Sequence, residues 1–165
     1  MLQIAAIENP VIHIVGAGGT GGFAFTNLTR LLAGTNIPIH LYDGDIVEPK
    51  NLKRQQFSQT DVGVNKAAAL MENATNNILS VSPVASHPYY ITDVDDFVAD
   101  ILVETGDGTP IIISAVDNVS SERASFASDK VSAASGVGAG AKPSLAFGAS
   151  GDSTLAGAFV SLASR

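Results

Sequence analysis

Five glycines fall within the seven residues Gly16-Ala17-Gly18-Gly19-Thr20-Gly21-Gly22, and what flanks them leaves the chain few ways to fold. Before them stands Val11-Ile12-His13-Ile14-Val15, a β-rich run with too little polar alternation for an exposed strand. After them Ala24, Leu28, Leu31 and Leu32 recur at helical spacing, with Gly34 as a stop. A second strand, Ile37-Pro38-Ile39-His40-Leu41-Tyr42-Asp43, follows. Strand, glycine turn, helix and strand make a βαβ unit with parallel pairing. The pattern Gly16-x-Gly18-x-x-Gly21 supplies a tight turn, a bare stretch of backbone that a phosphate can approach, and a close helix–strand contact. The amides and dipole at the start of the helix then attract an anion. Asp43 ends the second strand, where its carboxylate can accept from ribose hydroxyls. Taken alone, this stretch indicates an adenine nucleotide site, with a merely structural glycine turn as the alternative.

The remaining chain extends the alternation. Residues 44–62 are polar and irregular. A helix is predicted over about 65–76, a weaker strand over Val84–Tyr90 placed at an edge because of Pro88, and a helix over 93–103. On that last helix Val94, Phe97, Val98, Ile101 and Leu102 share one face. Ile111-Ile112-Ile113-Ser114-Ala115-Val116 has the composition of a buried parallel strand, which Asp117-Asn118 ends. Ser120 or Ser121 can cap a further helix reaching about Val131. From Ser135 to Arg165, 19 of 31 residues are Gly, Ala or Ser, so this tail is either flexible or a closing antiparallel hairpin of 145–147 with 158–162. The expected fold class is α/β: a doubly wound, mostly parallel, Rossmann-like sheet in one domain spanning 1–165, with the 135–165 tail appended.

Composition excludes several functions. There is no cysteine, which removes disulfides, thiolate zinc sites and a cysteine nucleophile. Nine basic against sixteen acidic residues give a net charge of −7, so nucleic acid is not an expected partner. No apolar run approaches the ~18 residues of a membrane span, and the N-terminus lacks a basic signal region; no membrane is expected, and the expected location is cytoplasmic. Charge is nevertheless clustered. Lys50, Lys53, Arg54 and Lys66 lie close together and read as an anion site. The run from Asp93 to Asp107 reads as a solvated helix face. His13, His40 and His87 have no metal-ligand spacing and read as ordinary packed or surface histidines, and Tyr89 and Tyr90 as packing at a sheet edge.

The segment Asp43-Gly44-Asp45-Ile46-Val47-Glu48-Pro49-Lys50-Asn51-Leu52-Lys53-Arg54-Gln55-Gln56-Phe57, running on to Gly63 and Lys66, narrows the reading. With Gly16, Gly18, Gly19 and Gly21 before it and the Asp117-Asn118 pair after it, it resembles the nucleotide site of the E1-like adenylating enzymes: the ThiF and MoeB proteins and the ubiquitin-activating enzymes. That family reads GxGGxG, then DxDxVxxxNLxRQxF, then a glycine and a lysine, then DN, and the resemblance covers about residues 11–123. It implies ATP-dependent adenylation of a carboxylate through an acyl-adenylate, with release of pyrophosphate. The implied substrate is the C-terminal glycine of a ubiquitin-like or sulfur-carrier protein, or a peptide C-terminus. A homodimer or a heteromeric complex is also implied.

In that frame Arg54, Lys66 and Asp117 are the candidate catalytic residues. Arg54 can fork onto phosphate oxygens and Lys66 supplies a point charge, while Asp117, at the carboxyl end of a buried strand, can hold Mg²⁺. Gly16, Gly18, Gly19, Gly21, Asp43, Asp45, Asn51, Arg54, Gln55, Lys66 and Asn118 are the candidate nucleotide-binding residues, with Asn51 and Gln55 offering amide donors. Each has a plainer alternative: Arg54 or Lys66 paired with Asp45 or Glu48, and Asp117 capping the next helix. The expected cofactors are ATP and Mg²⁺. No zinc is expected, and without cysteine the chain cannot itself form the thioester that many relatives use. A non-catalytic scaffold partnering an active subunit and an NAD-dependent oxidoreductase stand as alternatives.

Overall fold

The computed structural model of the chain describes residues 7–79 and 81–116. In chain order the elements are β1 (Pro10–Val15), α1 (Gly19–Leu31), β2 (Ile39–Tyr42), α2 (Lys66–Asn77), β3 (Val84–His87), α3 (Val94–Thr105) and β4 (Thr109–Ser114). Two short 3-10 turns, Pro49–Lys53 and Gln59–Asp61, lie between β2 and α2. The strands form one sheet in the order β3-β2-β1-β4, and every neighbouring pair is parallel. The chain builds outward from β1 to β3 and then returns to the other side of β1. The order in which strands are added therefore reverses between β1 and β4, the switch point at which open α/β sheets bind ligands.

Because side chains alternate along a strand, each strand feeds two cores. Ile12, Ile14, Ile39, Leu41, Ile111 and Ile113 point to one face and meet Phe25 and Leu32 of the α1 region and Ala67, Leu70 and Ala74 of α2. Val15, Tyr42 and Ile112 point to the other and meet Phe97, Val98 and Ile101 of α3. With helices on both faces, the described part of the fold is the doubly wound parallel α/β arrangement expected.

Local chemistry explains the boundaries. Asn65 caps α2, its side chain accepting from the Ala68 N–H at 3.1 Å, and Asp93 caps α3 by accepting from the Asp95 and Asp96 N–H groups. β3 is an edge strand as expected, but it stops at His87 because Pro88 cannot extend the ladder. The face of α1 differs from the leucine spacing. Gly21, Gly22, Phe25 and Thr29 are its buried positions, while Leu31 is 69% exposed. A side chain at Gly22 would lie 3.2 Å from Leu70, so the closest approach to α2 goes to the bare glycine surface and the helix turns its leucine stripe partly outward. The helix after Ser120 and the C-terminal hairpin lie outside the described residues.

Candidate functional site

The turn after β1 is shaped by what its glycines lack. Gly16 sits at φ +96°, a left-handed conformation costly for other residues. A Cβ on Gly21 would run into the Gly16 carbonyl, so the third glycine of the pattern is what seats α1 against the end of β1. Gly18 and Gly19 differ: Cβ atoms there would come no closer than 3.9 Å to any other group. Their bareness leaves backbone open toward a cavity. Gly18 precedes α1 without supplying a side-chain cap, so the helix begins with amides available to an anion.

Asp43, at the end of β2, holds this turn in place. One carboxylate oxygen accepts from the Ala17 N–H at 2.6 Å and the other from the Asp45 N–H at 2.8 Å. Its role in the structure is therefore to join the glycine turn to β2, in addition to facing the cavity. Asn65 donates to the carbonyls of Asp43 and Asp45 at 2.7 and 3.0 Å, which fixes the start of α2 beside the same loop. This puts Lys66 into the site. Its ammonium lies 2.7 Å from Asp45 Oδ2, and its residue is buried. Tyr90 donates to the other oxygen of Asp45 at 2.7 Å. The Lys66 contact, followed by that of Tyr90, holds the Asp45 carboxyl below the usual carboxylate range.

The segment from Glu48 to Gln55 forms the opposite wall. Asn51 is buried, and its side-chain carbonyl accepts from the Glu48 N–H at 2.7 Å, closing a capping box around the 3-10 turn. The expected phosphate donor is thus also the residue that folds its own loop. Lys50 pairs with Glu48 at 2.8 Å on the surface, a contact worth little in solvent. Arg54 is exposed and pairs with no carboxylate among the described residues. Gln55 Oε1 is buried without a hydrogen-bond partner among the described residues, an uncommon state that a ligand donor would relieve.

These pieces enclose an open cavity of about 620 Å³ at the carboxyl ends of β1 and β2. Gly16, Gly18 and Gly19 line one side, Asp43, Asp45 and Lys66 the floor, and Asn51, Arg54 and Gln55 the far wall. Gly21 lies behind the turn, in a packing role. Asp117 and Asn118 lie outside the described residues, though Ala115 and Val116 just before them reach the cavity. The plain pairing of Lys66 with Asp45 is present; for Arg54 no such pairing is found among the described residues. Tyr89 and Tyr90 do more than pack a sheet edge, since both line the cavity. The Tyr90 ring lies over Gly44, where a Cβ would clash with it. The one sequence signal for this was Pro88, which turns the chain off the edge strand toward the loop after β2.

The groups that line the cavity suit an anion. Among the described residues it offers open amides, two paired cations (Lys50 and Lys66), one cation without a carboxylate partner (Arg54), and an unsatisfied amide oxygen. Of the described carboxylates that line the cavity, Asp43 accepts from backbone amides, Asp45 engages Lys66 and Tyr90, and Glu48 pairs with Lys50.

The ubiquitin-like modifier-activating enzyme 5 of Drosophila pseudoobscura pseudoobscura is 33% identical over 121 residues, covering 68% of this chain and 29% of the enzyme. The chain thus spans under a third of the length of the curated relatives it matches. Escherichia coli tRNA N6-threonylcarbamoyladenosine dehydratase, solved in complex with AMP, superposes with a TM-score of 0.61 at 26% identity over 84% of this chain and 51% of its own. The fold alone is shared with E. coli MccB, solved with AMPCPP and MccA, at a TM-score of 0.62, 24% identity, and 87% and 37% coverage. Residues 3–134 match the family described as ThiF, which takes in the whole cavity and both strands of the switch point. The chain belongs to the ThiF family.

Proposed function

We propose that the chain is the nucleotide-binding part of an adenylyltransferase that uses ATP to activate a carboxylate, and that residues 1–165 form one such domain. The observation that carries this is the cavity at the end of β1 and β2, walled by Arg54, Lys66 and the open turn of Gly18 and Gly19. Membership of the family that includes the ubiquitin-like modifier-activating enzyme supports a protein or peptide C-terminus as substrate: a ubiquitin-like or sulfur-carrier protein ending in glycine. The AMP bound by the E. coli dehydratase supports the nucleotide. Family membership does not favour the nicotinamide reading or the inert scaffold.

In this reading the substrate carboxylate oxygen attacks the α-phosphorus of ATP. The bond from that phosphorus to the bridging oxygen breaks, and pyrophosphate leaves. The chain's task is positioning and charge neutralisation, because negative charge shifts toward the leaving group. The amides that open α1 and the fork of Arg54 hold phosphate oxygens. Lys66 exchanges the Asp45 carboxylate for a phosphate oxygen, and Tyr90 keeps Asp45 engaged when the lysine moves. Gln55 Oε1 accepts from the ligand. Magnesium, when bound with ATP, would be held by Asp117 and would neutralise the departing pyrophosphate. A homodimer or a complex with a second subunit completes the enzyme.

The test is ATP–pyrophosphate exchange with a purified ubiquitin-like protein ending in Gly-Gly, alongside thermal shifts with ATP, NAD and NADP. Arg54→Ala should weaken ATP binding and slow exchange, for a combined loss of about 2–4 kcal/mol. Asp117→Ala should keep much of the ATP affinity and nearly abolish exchange. Stabilisation by NADP with none by ATP would overturn the reading. Full exchange by Asp117→Ala would reduce that residue to a helix cap.

A further inference from the structure

We propose that His40, His87 and Glu104 form a binding site for one divalent transition-metal ion of the zinc type. The chain has three histidines, and parallel pairing gathers all of them on the α3 face of the sheet. His13 of β1 is in register with His40 of β2, and their rings stack at 5.0 Å. His40 Nδ1 lies 3.0 Å from His87 Nε2 of β3 and 3.7 Å from Glu104 Oε2 in the last turn of α3. One donor atom from each of the three residues lies within 4.8 Å of the other two.

That spacing is close to what the ion needs. Zinc bonds of about 2.0–2.2 Å to nitrogen and oxygen place neighbouring donors roughly 3.3 Å apart in a tetrahedron. Without an ion, the two facing ring nitrogens share a hydrogen bond. Moving that ring proton to the other nitrogen of the same imidazole turns both lone pairs inward, and the ion replaces the bridge. Two imidazoles and one carboxylate suit zinc or its neighbours in the first transition row, whereas magnesium prefers oxygen alone. Three protein ligands leave a fourth position for water.

The surroundings favour a preorganised site. His40 is buried between strands, and the His87 ring stacks on Tyr42 with centroids 4.2 Å apart, so two ligands are set by sheet packing rather than by mobile loops. His13 is a wall and not a ligand, since its nitrogens are taken by the Tyr42 hydroxyl at 3.0 Å and the Thr105 hydroxyl at 2.9 Å. Glu104 is exposed, which gives the ion a way in from solvent. Burial also holds His40 and His87 below the usual histidine range, consistent with the neutral rings that a metal requires. The expectation of no zinc rested on the missing cysteines and does not reach a site of nitrogen and oxygen donors. Bound there, the ion would pin the end of α3 to the edge of the sheet.

The experiment uses the full chain without an affinity tag, stripped with a chelator and titrated with ZnCl₂ against a chromophoric competitor. One zinc per chain and a rise in Tm with Zn²⁺ but not with Mg²⁺ are expected. Loss of a partner that merely orients a ligand costs ~10–100-fold in metal affinity, so His87→Ala and Glu104→Gln should each weaken binding at least about tenfold. Asp96→Asn, an exposed acid in the first turn of the same helix, should leave it unchanged. Glu104→Gln alters an exposed side chain and keeps the fold, which guards against a variant that simply unfolds. Failure to retain stoichiometric zinc, or equal affinity in wild type, His87→Ala and Glu104→Gln, would overturn the site.

Discussion

The two faces of the sheet are built from the same strands and have opposite chemistry. Toward α1 and α2 the three inner strands present a core of isoleucine and leucine, Ile12, Ile14, Ile39, Leu41, Ile111 and Ile113, with Val84 of β3 packed against it. Toward α3 the alternate positions present His13, His40, Tyr42 and His87, whose rings pack on one another, with Phe97 edge-on to Tyr42. The first face is held by burial alone and is indifferent to pH. The second buries hydrogen-bonding, titratable rings, and it is stable only while each ring finds a partner and stays neutral. A single period of two along each strand thus separates a permanent core from a conditional one.

Breaking the apolar face should have the largest effect. Phe25 is fully buried between α1 and the sheet. Phe25→Ala should lower the unfolding free energy by about 3–5 kcal/mol, through lost burial and the cavity left behind. Denaturant titration measures it, and the loss should be the same at pH 7 and pH 5, because the cluster that Phe25 packs in is apolar. A loss well under this range would mean that α1 collapses onto the gap.

The conditional face should reveal itself through pH. Burial first, and then the neighbouring His40 and His87, push His13 down to about 3, while Thr105 and Tyr42 hold its two nitrogens and Glu104 of α3 stands beside His40. In the unfolded chain the same imidazole takes its proton near the ordinary value of 6.5. Between those two values the unfolded state binds more protons. Stability is therefore complete above about pH 6.5 and falls as the pH drops through the window. At about 1.4 kcal/mol per unit, His13 alone should remove roughly 2 kcal/mol between pH 6.5 and pH 5. Chelator-treated protein followed by urea unfolding at each pH is the measurement. A flat profile over that range would show that water reaches the ring and the face is not closed.

How far the sequence disclosed these arrangements follows from the range of the forces involved. The strands, the glycine turn and the starts of the helices near Asn65 and Asp93 are local, and each was readable from neighbouring residues. The grouping of these residues around one cavity was legible for a related reason: Asp43, Asp45, Asn51, Arg54 and Gln55 lie in one continuous segment, and the βαβ rule brings the glycine turn to it. The face of α1 was not, because leucine spacing competes there with glycine contacts to another helix. Nor was the histidine cluster. His40 and His87 are 47 positions apart, and only the register of parallel strands, set by the crossovers between them, makes them neighbours. Tyr90 reaches Asp45 across a comparable gap, for the same reason.

The smallest expected effect isolates one hydrogen bond of the conditional face. Tyr42 is almost fully buried in a T-shaped contact with Phe97, and its hydroxyl meets His13 Nδ1 at 3.0 Å. Burial pushes that phenol above its ordinary range, so Tyr42 stays neutral throughout the working pH. Tyr42→Phe keeps the ring, its stacking on His87 and its contact with Phe97, and deletes only the oxygen. Were the face held by apolar contact like its opposite, the change would be neutral or slightly stabilising. Because a buried imidazole nitrogen is left without its partner, a loss of about 1–2 kcal/mol is expected instead. Charging the ring should also become easier once a nitrogen is free to meet water, so the stability of Tyr42→Phe should fall less steeply between pH 6.5 and pH 5 than that of the wild type. Urea unfolding of the two proteins at both pH values reads both quantities. A neutral substitution with an unchanged pH slope would mean that the histidine face is held by packing alone.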